Sequence, residues 1–198
     1  MNSVSDKQEI SIEKLRAGER AELAQLVDKF SNPVYRIAMN ILKSEQDAED
    51  VIQETFIKVL HSIKAFEGRS SLATWIYRIA VNEALMMIRK RKGIQVSIDE
   101  DVEDDEGVAA PHEIEDWCCL PEKEFMNAEF REQMDGAIGS LPQKLRIVFQ
   151  LRDMEDLSIR ETAEVLGLTE SAVKTRLLRA RLILREKLTH YFHERQPG

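Results

Sequence analysis

The chain has 198 residues, of which 32% are charged and 6% are aromatic, and its formal net charge is -8. This length predicts one or two domains, and no segment approaches the ~20 consecutive apolar residues of a membrane span. The polar N-terminus, Met1 to Ile10, has no signal-peptide pattern, and the two cysteines, Cys118 and Cys119, are adjacent. A disulfide-stabilised secreted protein is therefore excluded, and we expect a cytoplasmic protein without direct membrane insertion.

Apolar residues recur at helical spacing along most of the chain, and no stretch alternates as a half-buried strand would. This pattern predicts an all-α protein. The capping residue Ser44 opens one helix, Ser70 or Ser71 opens another, and Phe66 to Arg69 forms a break between them. In the first part of the chain we predict helices over Ile12–Leu26, Pro33–Leu42, Ser44–Ile63 and from Ser70 or Ser71 to Lys92.

An acidic segment follows from residue 93 to residue 122. It contains 11 of the 36 acidic residues and no Lys or Arg, which leaves 25 acidic against 28 basic residues elsewhere. Gly107, Pro111 and Pro121 lie in it, and large apolar residues are few, so it cannot bury enough surface to offset the entropy of ordering. We predict a flexible linker between two small helical domains, residues 1–92 and 123–198.

The C-terminal part is predicted to contain a helix-turn-helix. Its helices are expected from the region after Pro121 to Ile138, then over Gln143–Arg152, Ser158–Leu166 and Glu170–His190, with a turn over Gly139–Pro142. Gly167 suits the turn before the last helix, and Thr169 is a good N-cap. A helix, a glycine turn and a capped second helix are typical of DNA readers.

The last helix has two distinct faces. Val173, Leu177, Ala180 and Leu184 share one face and are predicted to be core, whereas the opposite side is basic. Residues 174–187 include six basic side chains and one acidic side chain, which suits phosphate attraction and reading of base edges. The alternative is the solvated face of an ordinary amphipathic helix.

The helix predicted over Leu72–Lys92 is apolar on most sides, so we expect it to be central. Arg78, Asn82 and Arg89 share a narrow polar stripe on it, and four cations end it. With the preceding loop, this helix has the aromatic, cationic and amide groups that bind single-stranded DNA. Alternatively, Trp75 is core and the terminal cations only complement the helix dipole.

The helix opened by Ser44 has an acidic stripe with Asp47, Asp50 and Glu54, and Gln53 lies beside it. Such a stripe is either solvated or a docking face for a basic protein surface.

Two separate parts of the chain resemble one known family. Residues 47–59 (DAEDVIQETFIKV) and 66–82 (FEGRSSLATWIYRIAVN) resemble conserved region 2 of extracytoplasmic-function (ECF) sigma factors, the smallest group of the bacterial sigma-70 family. Leu141-Pro142 and the helix-turn-helix ending in residues 174–181 (KTRLLRAR) resemble their region 4. The two motif blocks occur in the order and at the spacing of that family.

The resemblance implies roles for the residues of the first block. The acidic face would dock on the coiled coil of the largest subunit of core RNA polymerase, through Asp47, Asp50, Gln53 and Glu54. The loop and the central helix would capture and melt the -10 promoter element, through Phe66, Arg69, Ser70, Ser71, Trp75, Tyr77, Arg78 and Asn82.

For the second block, the resemblance implies that the last helix reads the -35 element in the major groove, through Ser171, Lys174, Thr175, Arg176, Leu178 and Arg179. The linker corresponds in position to the segment that runs toward the polymerase active centre and the RNA exit path.

The resemblance thus implies a promoter-specificity subunit that initiates transcription with core polymerase and that an anti-sigma factor inhibits until a stress signal arrives. We expect no catalytic chemistry, cofactor or metal and a monomeric free protein; His112 alone near the cysteines does not make a metal site. One alternative is an autonomous helix-turn-helix regulator that binds a palindrome as a dimer. A thiol redox enzyme using Cys118 and Cys119 is disfavoured, because no companion base or nucleophile cluster accompanies them.

Overall fold

The computed structural model describes residues 10–92 and 128–195, with side chains described for residues 10–91 and 132–189. Within these ranges the chain is helical and contains no strand, which confirms the all-α prediction. The predicted linker, including Cys118 and Cys119, lies outside the described residues. In the described ranges, no helix is both long enough and apolar enough to cross a membrane.

The first block is a bundle of three long helices preceded by a short helix. The elements are α1 (Ile12–Ala17), α2 (Arg20–Leu42), α3 (Glu45–Ser62), a 3-10 turn (Ile63–Ala65) and α4 (Leu72–Lys92). Helix α2 packs on α3 and α4, α3 packs on α4, and α1 contacts the 3-10 turn that follows α3. Helix α4 also contacts the second block, so it is central as predicted.

The sequence prediction was wrong at the beginning of this block. The predicted helix over Ile12–Leu26 is interrupted, because Gly18 adopts a left-handed conformation (φ 76°) that ends α1. Helix α2 then begins at Arg20 and continues through Pro33, which was predicted to start a separate helix. A proline inside a helix costs about 3 kcal/mol. The continuous apolar stripe of α2 offsets this cost, since it buries Leu26, Phe30, Val34, Ile37, Ala38 and Ile41.

The helix starts that depend on capping agree with the prediction. The Ser44 side chain accepts a hydrogen bond from the Asp47 backbone at the start of α3, and Ser71 Oγ accepts one from the Thr74 backbone at 3.1 Å at the start of α4. Each bond satisfies a backbone donor that has no partner inside the helix.

The second block comprises α5 (Ala128–Ser140), α6 (Gln143–Phe149), α7 (Ile159–Leu166) and α8 (Glu170–Arg195). Helix α8 packs on α5, α6 and α7. Ser158 and Glu161 form a reciprocal capping box at the start of α7, and Gly167 ends α7 at φ 68°. Thr169 Oγ1 accepts a hydrogen bond from the Ala172 backbone at 3.1 Å at the start of α8. The predicted helix-turn-helix is therefore present.

One element of this block differs from its prediction. The helix expected over Gln143–Arg152 ends at Phe149 and continues as a π turn over Gln150–Met154. Such wide turns are rare and are frequently found where a helix contributes to a site. Here the turn carries Gln150 and the following Glu155 toward the first block, where both form hydrogen bonds.

Candidate nucleic-acid interface

A cavity of about 360 Å³ lies where the loop before α4 meets the first turns of α4. The Phe66 and Trp75 rings meet there, with centroids 4.9 Å apart and planes inclined by 39°. Phe66 is buried, whereas Trp75 is half-buried, so the indole is the more accessible ring. The residues lining the cavity are Ala65, Phe66, Glu67, Arg69, Ser70, Trp75, Arg78 and Glu164.

The cavity brings together five of the eight residues predicted to contact the -10 element: Phe66, Arg69, Ser70, Trp75 and Arg78. An aromatic ring, two guanidinium groups and a hydroxyl are the groups that stack on an unpaired base and bind its phosphates. Arg69 pairs with Glu67 at 2.7 Å, and both side chains are largely exposed. The cavity thus holds groups of this kind together with the carboxylates of Glu67 and Glu164.

Two of the other predicted residues lie near the cavity without lining it. Ser71 caps α4. Asn82 is exposed and lies seven residues after Trp75, on the same side of the helix and about 10 Å further along its axis.

Tyr77 was predicted to contact the -10 element, and the structure corrects this prediction. Its side chain is buried and packs edge-on against Phe30, with centroids 6.0 Å apart. The charge of Glu155, in the second block, acts on its hydroxyl. Burial, with a smaller contribution from the Glu155 charge, raises the pKa of Tyr77 above its ordinary range. Tyr77 is therefore a core residue between the blocks, which periodicity alone did not reveal.

The acidic face of α3 is exposed at Asp50, Gln53 and Glu54. Ile57 and Leu60, on the same side of the helix, are also exposed, at 46% and 43%. An apolar centre with an acidic border is typical of a protein-docking surface.

Asp47 does not belong to this exposed face, although its spacing predicted that it would. It is buried and accepts a hydrogen bond from Arg91, at the end of α4. The Ser44 hydroxyl and the Arg91 guanidinium lower the pKa of Asp47. The carboxylate therefore joins α3 to α4 and is not available for docking.

Helix α8 has the two faces that the sequence predicted. Val173, Leu177, Ala180 and Leu184 are all buried. Of the residues predicted to read the -35 element, Ser171, Lys174 and Thr175 are exposed, and Arg176, Leu178 and Arg179 are half-buried. These six residues lie on the helix that enters the major groove in helix-turn-helix proteins.

Arg181 was not singled out by the sequence. It binds Asp153 of the π turn through two hydrogen bonds, of 2.7 and 2.9 Å. Planar two-bond pairs of this kind fix orientation as well as adding energy. The pair therefore holds α8 in place against the π turn.

Sequence reasoning also missed the residues that join the two blocks. Arg36 of α2 donates to both oxygens of Glu155 over 2.9–3.1 Å, and Asn40 donates to Gln150 at 2.6 Å. Gln150 in turn donates to Glu155 at 2.7 Å. The one sequence signal for this contact between the blocks was Gln150 itself, a polar residue within the apolar run 147–151.

A second contact between the blocks lies at the N-termini of α4 and α7. Thr74 donates to Glu161 at 3.0 Å, and Ser158 donates to the same carboxylate from its backbone and hydroxyl. These bonds, with the Ser158 backbone contributing most, lower the pKa of Glu161. A negative charge at two helix N-termini is electrostatically favourable.

Comparison with known proteins shows the family of the chain. The family model for Sigma-70 region 2 matches residues 26–94, and the model for Sigma-70, region 4 matches residues 131–184. The ECF RNA polymerase sigma factor SigW of Bacillus subtilis is 32% identical over 177 residues, covering 89% of this chain and 94% of that protein. The ECF RNA polymerase sigma-E factor of Haemophilus influenzae is 31% identical, with coverage of 89% and 93%.

Solved structures agree with this assignment. The sigma factor RpoE of Bartonella quintana, crystallised with the anti-sigma factor NepR, is similar with a TM-score of 0.61 and 25% identity, over 84% of this chain and 96% of that one. CnrH, in complex with the cytosolic domain of CnrY, has the same fold with a TM-score of 0.59 and 23% identity, over 90% and 95%. The chain therefore belongs to the ECF sigma factors of bacterial RNA polymerase.

Proposed function

We propose that this sigma factor directs core RNA polymerase to promoters through two separate DNA contacts, one in each block. The observation that carries this proposal is the cavity at the start of α4, which the half-buried Trp75 ring lines together with Arg69 and Arg78. All of its lining residues except Glu164 lie within the part of the chain that matches region 2. An autonomous helix-turn-helix regulator is not favoured, because it leaves this block without a role.

At the -10 element, an unpaired base stacks on Trp75 while Arg69 and Arg78 bind the neighbouring phosphates. Stacking of one base on an aromatic side chain is worth about 1–3 kcal/mol. Ser70 and Asn82 supply the polar groups that recognise a base edge. Holding an unpaired base in this way stabilises the opened duplex.

At the -35 element, α8 enters the major groove. Guanine edges or phosphates are bound by Lys174, Arg176 and Arg179. Bases or phosphates are bound by Ser171 and Thr175, and a thymine methyl group is contacted by Leu178. The Arg181–Asp153 pair keeps this helix oriented. The second block thus recognises duplex DNA, and the first block separates the strands.

Core polymerase binds the exposed face of α3, through Asp50, Gln53 and Glu54. The net charge of -8 repels DNA from the free protein, so core polymerase supplies most of the affinity for DNA. Core polymerase also carries out the catalysis, and this subunit contributes binding alone. It acts in the cytoplasm, where the polymerase and the genome are.

An anti-sigma factor regulates this subunit in the proposal. The support is that RpoE of Bartonella quintana was crystallised with an anti-sigma factor and shares the fold of this chain over most of its length. Such a partner would occlude the α3 face or the DNA-binding surfaces until a signal releases it.

The test is run-off transcription with core polymerase, combined with permanganate probing of unpaired thymines. Trp75→Ala is expected to reduce promoter opening about 5- to 150-fold, from loss of a stacking interaction of about 1–3 kcal/mol, while protection of the -35 duplex persists. Trp75→Phe keeps an aromatic ring and is the matched control, expected to retain most of the opening. Equal opening by wild type and Trp75→Ala would contradict the proposed -10 role.

A further inference from the structure

Met86 of α4 is the most exposed large apolar side chain in the described part of the chain, at 52%. It belongs to the apolar run 85–88, and the other three members of that run pack against the core. Single exposed apolar residues are common on protein surfaces and need no functional explanation. What distinguishes Met86 is its set of neighbours on the surface of the helix.

Met86 lies on the same stripe of α4 as residues proposed to bind the -10 element. At 100° per residue, Asn82 and Met86 lie within about 20° of Trp75, and Arg89 lies within about 40° of it. Asn82, Met86 and Arg89 are exposed, and Trp75 is half-buried in the wall of the cavity. An accessible stripe thus runs from the cavity toward the C-terminal end of α4, and Met86 lies about 17 Å from Trp75 along the helix axis.

The charge of α4 suits nucleic acid as the partner of this stripe. Helix α4 contains five basic residues and one acidic residue, in a chain whose net charge is -8. The acidic residue, Glu83, is paired with Lys58, and its side chain is only 12% exposed. Arg89 and Lys90 follow Met86 by three and four residues, and both are exposed. An apolar side chain bordered by cations matches DNA, in which the base faces are apolar and the backbone is anionic.

The position of Met86 corresponds to the place where paired and unpaired DNA meet. In the proposed function the -35 duplex stays closed while the -10 strands separate, so base pairing resumes at the upstream edge of the -10 element. Bases in a stacked strand rise by about 3.4 Å each. The ~17 Å between Trp75 and Met86 therefore spans at most about five nucleotides. A base held at Trp75 leaves the first closed base pair within reach of Met86.

Methionine has the chemistry of a wedge at such a junction. Proteins that kink or unstack DNA insert apolar side chains, methionine among them, between neighbouring bases. The thioether side chain is unbranched and polarizable, so it adapts to an irregular apolar surface such as the exposed face of a base pair. Asn82, one turn earlier, has an amide that binds base edges and covers no base face.

We propose that Met86 is an apolar wedge that packs on the last closed base pair at the upstream edge of the -10 element and stabilises this junction after the strands separate. The inference rests on the proposed function and adds a residue to it. Trp75 holds the unpaired base, Met86 covers the end of the duplex, and Arg89 and Lys90 bind the phosphates beside that base pair. The wedge acts on the opened promoter and contributes nothing to -35 recognition.

The test compares a paired and a pre-opened form of one promoter, which is first selected from a library by run-off transcription with core polymerase. In the pre-opened form the -10 region is mismatched, so it cannot close again. With core polymerase, Met86→Ala is expected to reduce permanganate-detected opening of the paired promoter about 10-fold, which equals about 1.4 kcal/mol. The same variant at saturating concentration is expected to transcribe the pre-opened promoter as wild type does. Equal opening of the paired promoter by the two proteins would overturn the proposal.

Two control variants separate a wedge from other roles. Met86→Leu keeps an apolar side chain of similar size and is expected to retain most of the opening. Val27→Ala shortens an exposed apolar side chain of α2, 37% exposed and outside the stripe, and is expected to open the promoter as wild type does.

Two further outcomes are distinguishable from each other. If Met86→Ala weakens binding to core polymerase in a titration without DNA, Met86 contacts protein and the wedge proposal is wrong. If wild-type protein with core polymerase opens no promoter of the library, the proposed function itself fails.

A second measurement locates the side chain on the DNA. Met86→Cys in a Cys118→Ser/Cys119→Ser background is labelled with an iron chelate that cleaves nearby DNA. In the open complex, cleavage is expected at the upstream edge of the -10 element, within about five nucleotides of the permanganate-reactive thymines. Cleavage that is absent from this edge, in a labelled protein that still opens the promoter, would overturn the proposal.

Discussion

Replacing Glu155 by alanine removes the centre of the polar network between the blocks. Its carboxylate accepts bonds from Arg36 at 2.9–3.1 Å and from Gln150 at 2.7 Å. The substitution leaves these two donors without their common acceptor.

The two donors differ in what their loss costs. Arg36 is 44% exposed, so water replaces the carboxylate and the loss is about 0–1 kcal/mol. Gln150 is buried, and a buried donor without a partner costs about 1–3 kcal/mol. We therefore expect Glu155→Ala to lower the free energy of unfolding by about 1–4 kcal/mol.

Urea unfolding of the full chain, followed by circular dichroism, measures this loss. Absorbance of ionised tyrosine gives a second measurement. Because the pKa of Tyr77 is raised in the folded protein, its stabilisation is complete below a pH of about 10 and is lost as the pH rises further. In Glu155→Ala, this phenol is expected to ionise at lower pH than in wild type.

The matched control is Glu83→Ala, which breaks a pair of similar exposure inside the first block. It is expected to lower stability and leave the Tyr77 titration unchanged. If Glu155→Ala changes neither the unfolding free energy nor the titration, the network does not hold the blocks together and the reasoning is refuted.

Four further predictions concern single residues. Arg179→Ala is expected to cost about 1–3 kcal/mol at a matched -35 site and to relax specificity there; equal weakening on all sequences in a binding assay would make it a phosphate contact. Leu184→Ala is expected to lower the unfolding free energy by about 2–5 kcal/mol, because this side chain is fully buried; an unchanged urea midpoint would contradict its core role. The pKa of Asp47 is lowered, so the stabilisation that its carboxylate gives is present above a pH of about 4 and is lost as the pH falls. Asp47→Asn should therefore lose less stability between pH 6 and pH 3 than wild type. Equal losses in the two proteins would argue against the Arg91 bond. Asn82→Ala is expected to spare closed-complex formation and to reduce permanganate-detected opening, and loss of core binding would instead indicate a structural residue.

Local sequence signals predicted most helix starts and the faces of α8. Ser44, Thr169 and Gly167 act through hydrogen bonds or backbone conformations within a few residues of themselves, which a sequence displays directly. Pro33 was misread because its local cost is offset by the packing of the whole of α2, which no local pattern contains.

The residues that were predicted wrongly contact parts of the chain that are far from them in sequence. Asp47 was assigned to an exposed face by helical spacing, which gives a direction but not what lies there. Tyr77 was assigned to the -10 element by the family resemblance alone. Arg91 covers Asp47 from the end of α4, and Phe30 of α2 packs against Tyr77. The sequence already placed the cavity residues Phe66, Arg69, Ser70, Trp75 and Arg78 close together, since they lie within 13 positions of one another. Their contact with the -10 element stays a prediction.

Footprinting on a promoter, with and without core polymerase, tests the proposed function most directly. The two-contact proposal predicts protection of both the -35 and the -10 elements and opening of the -10 strands only when core polymerase is present. Sequence-specific protection of a single site by the protein alone, unchanged by core polymerase, would contradict it.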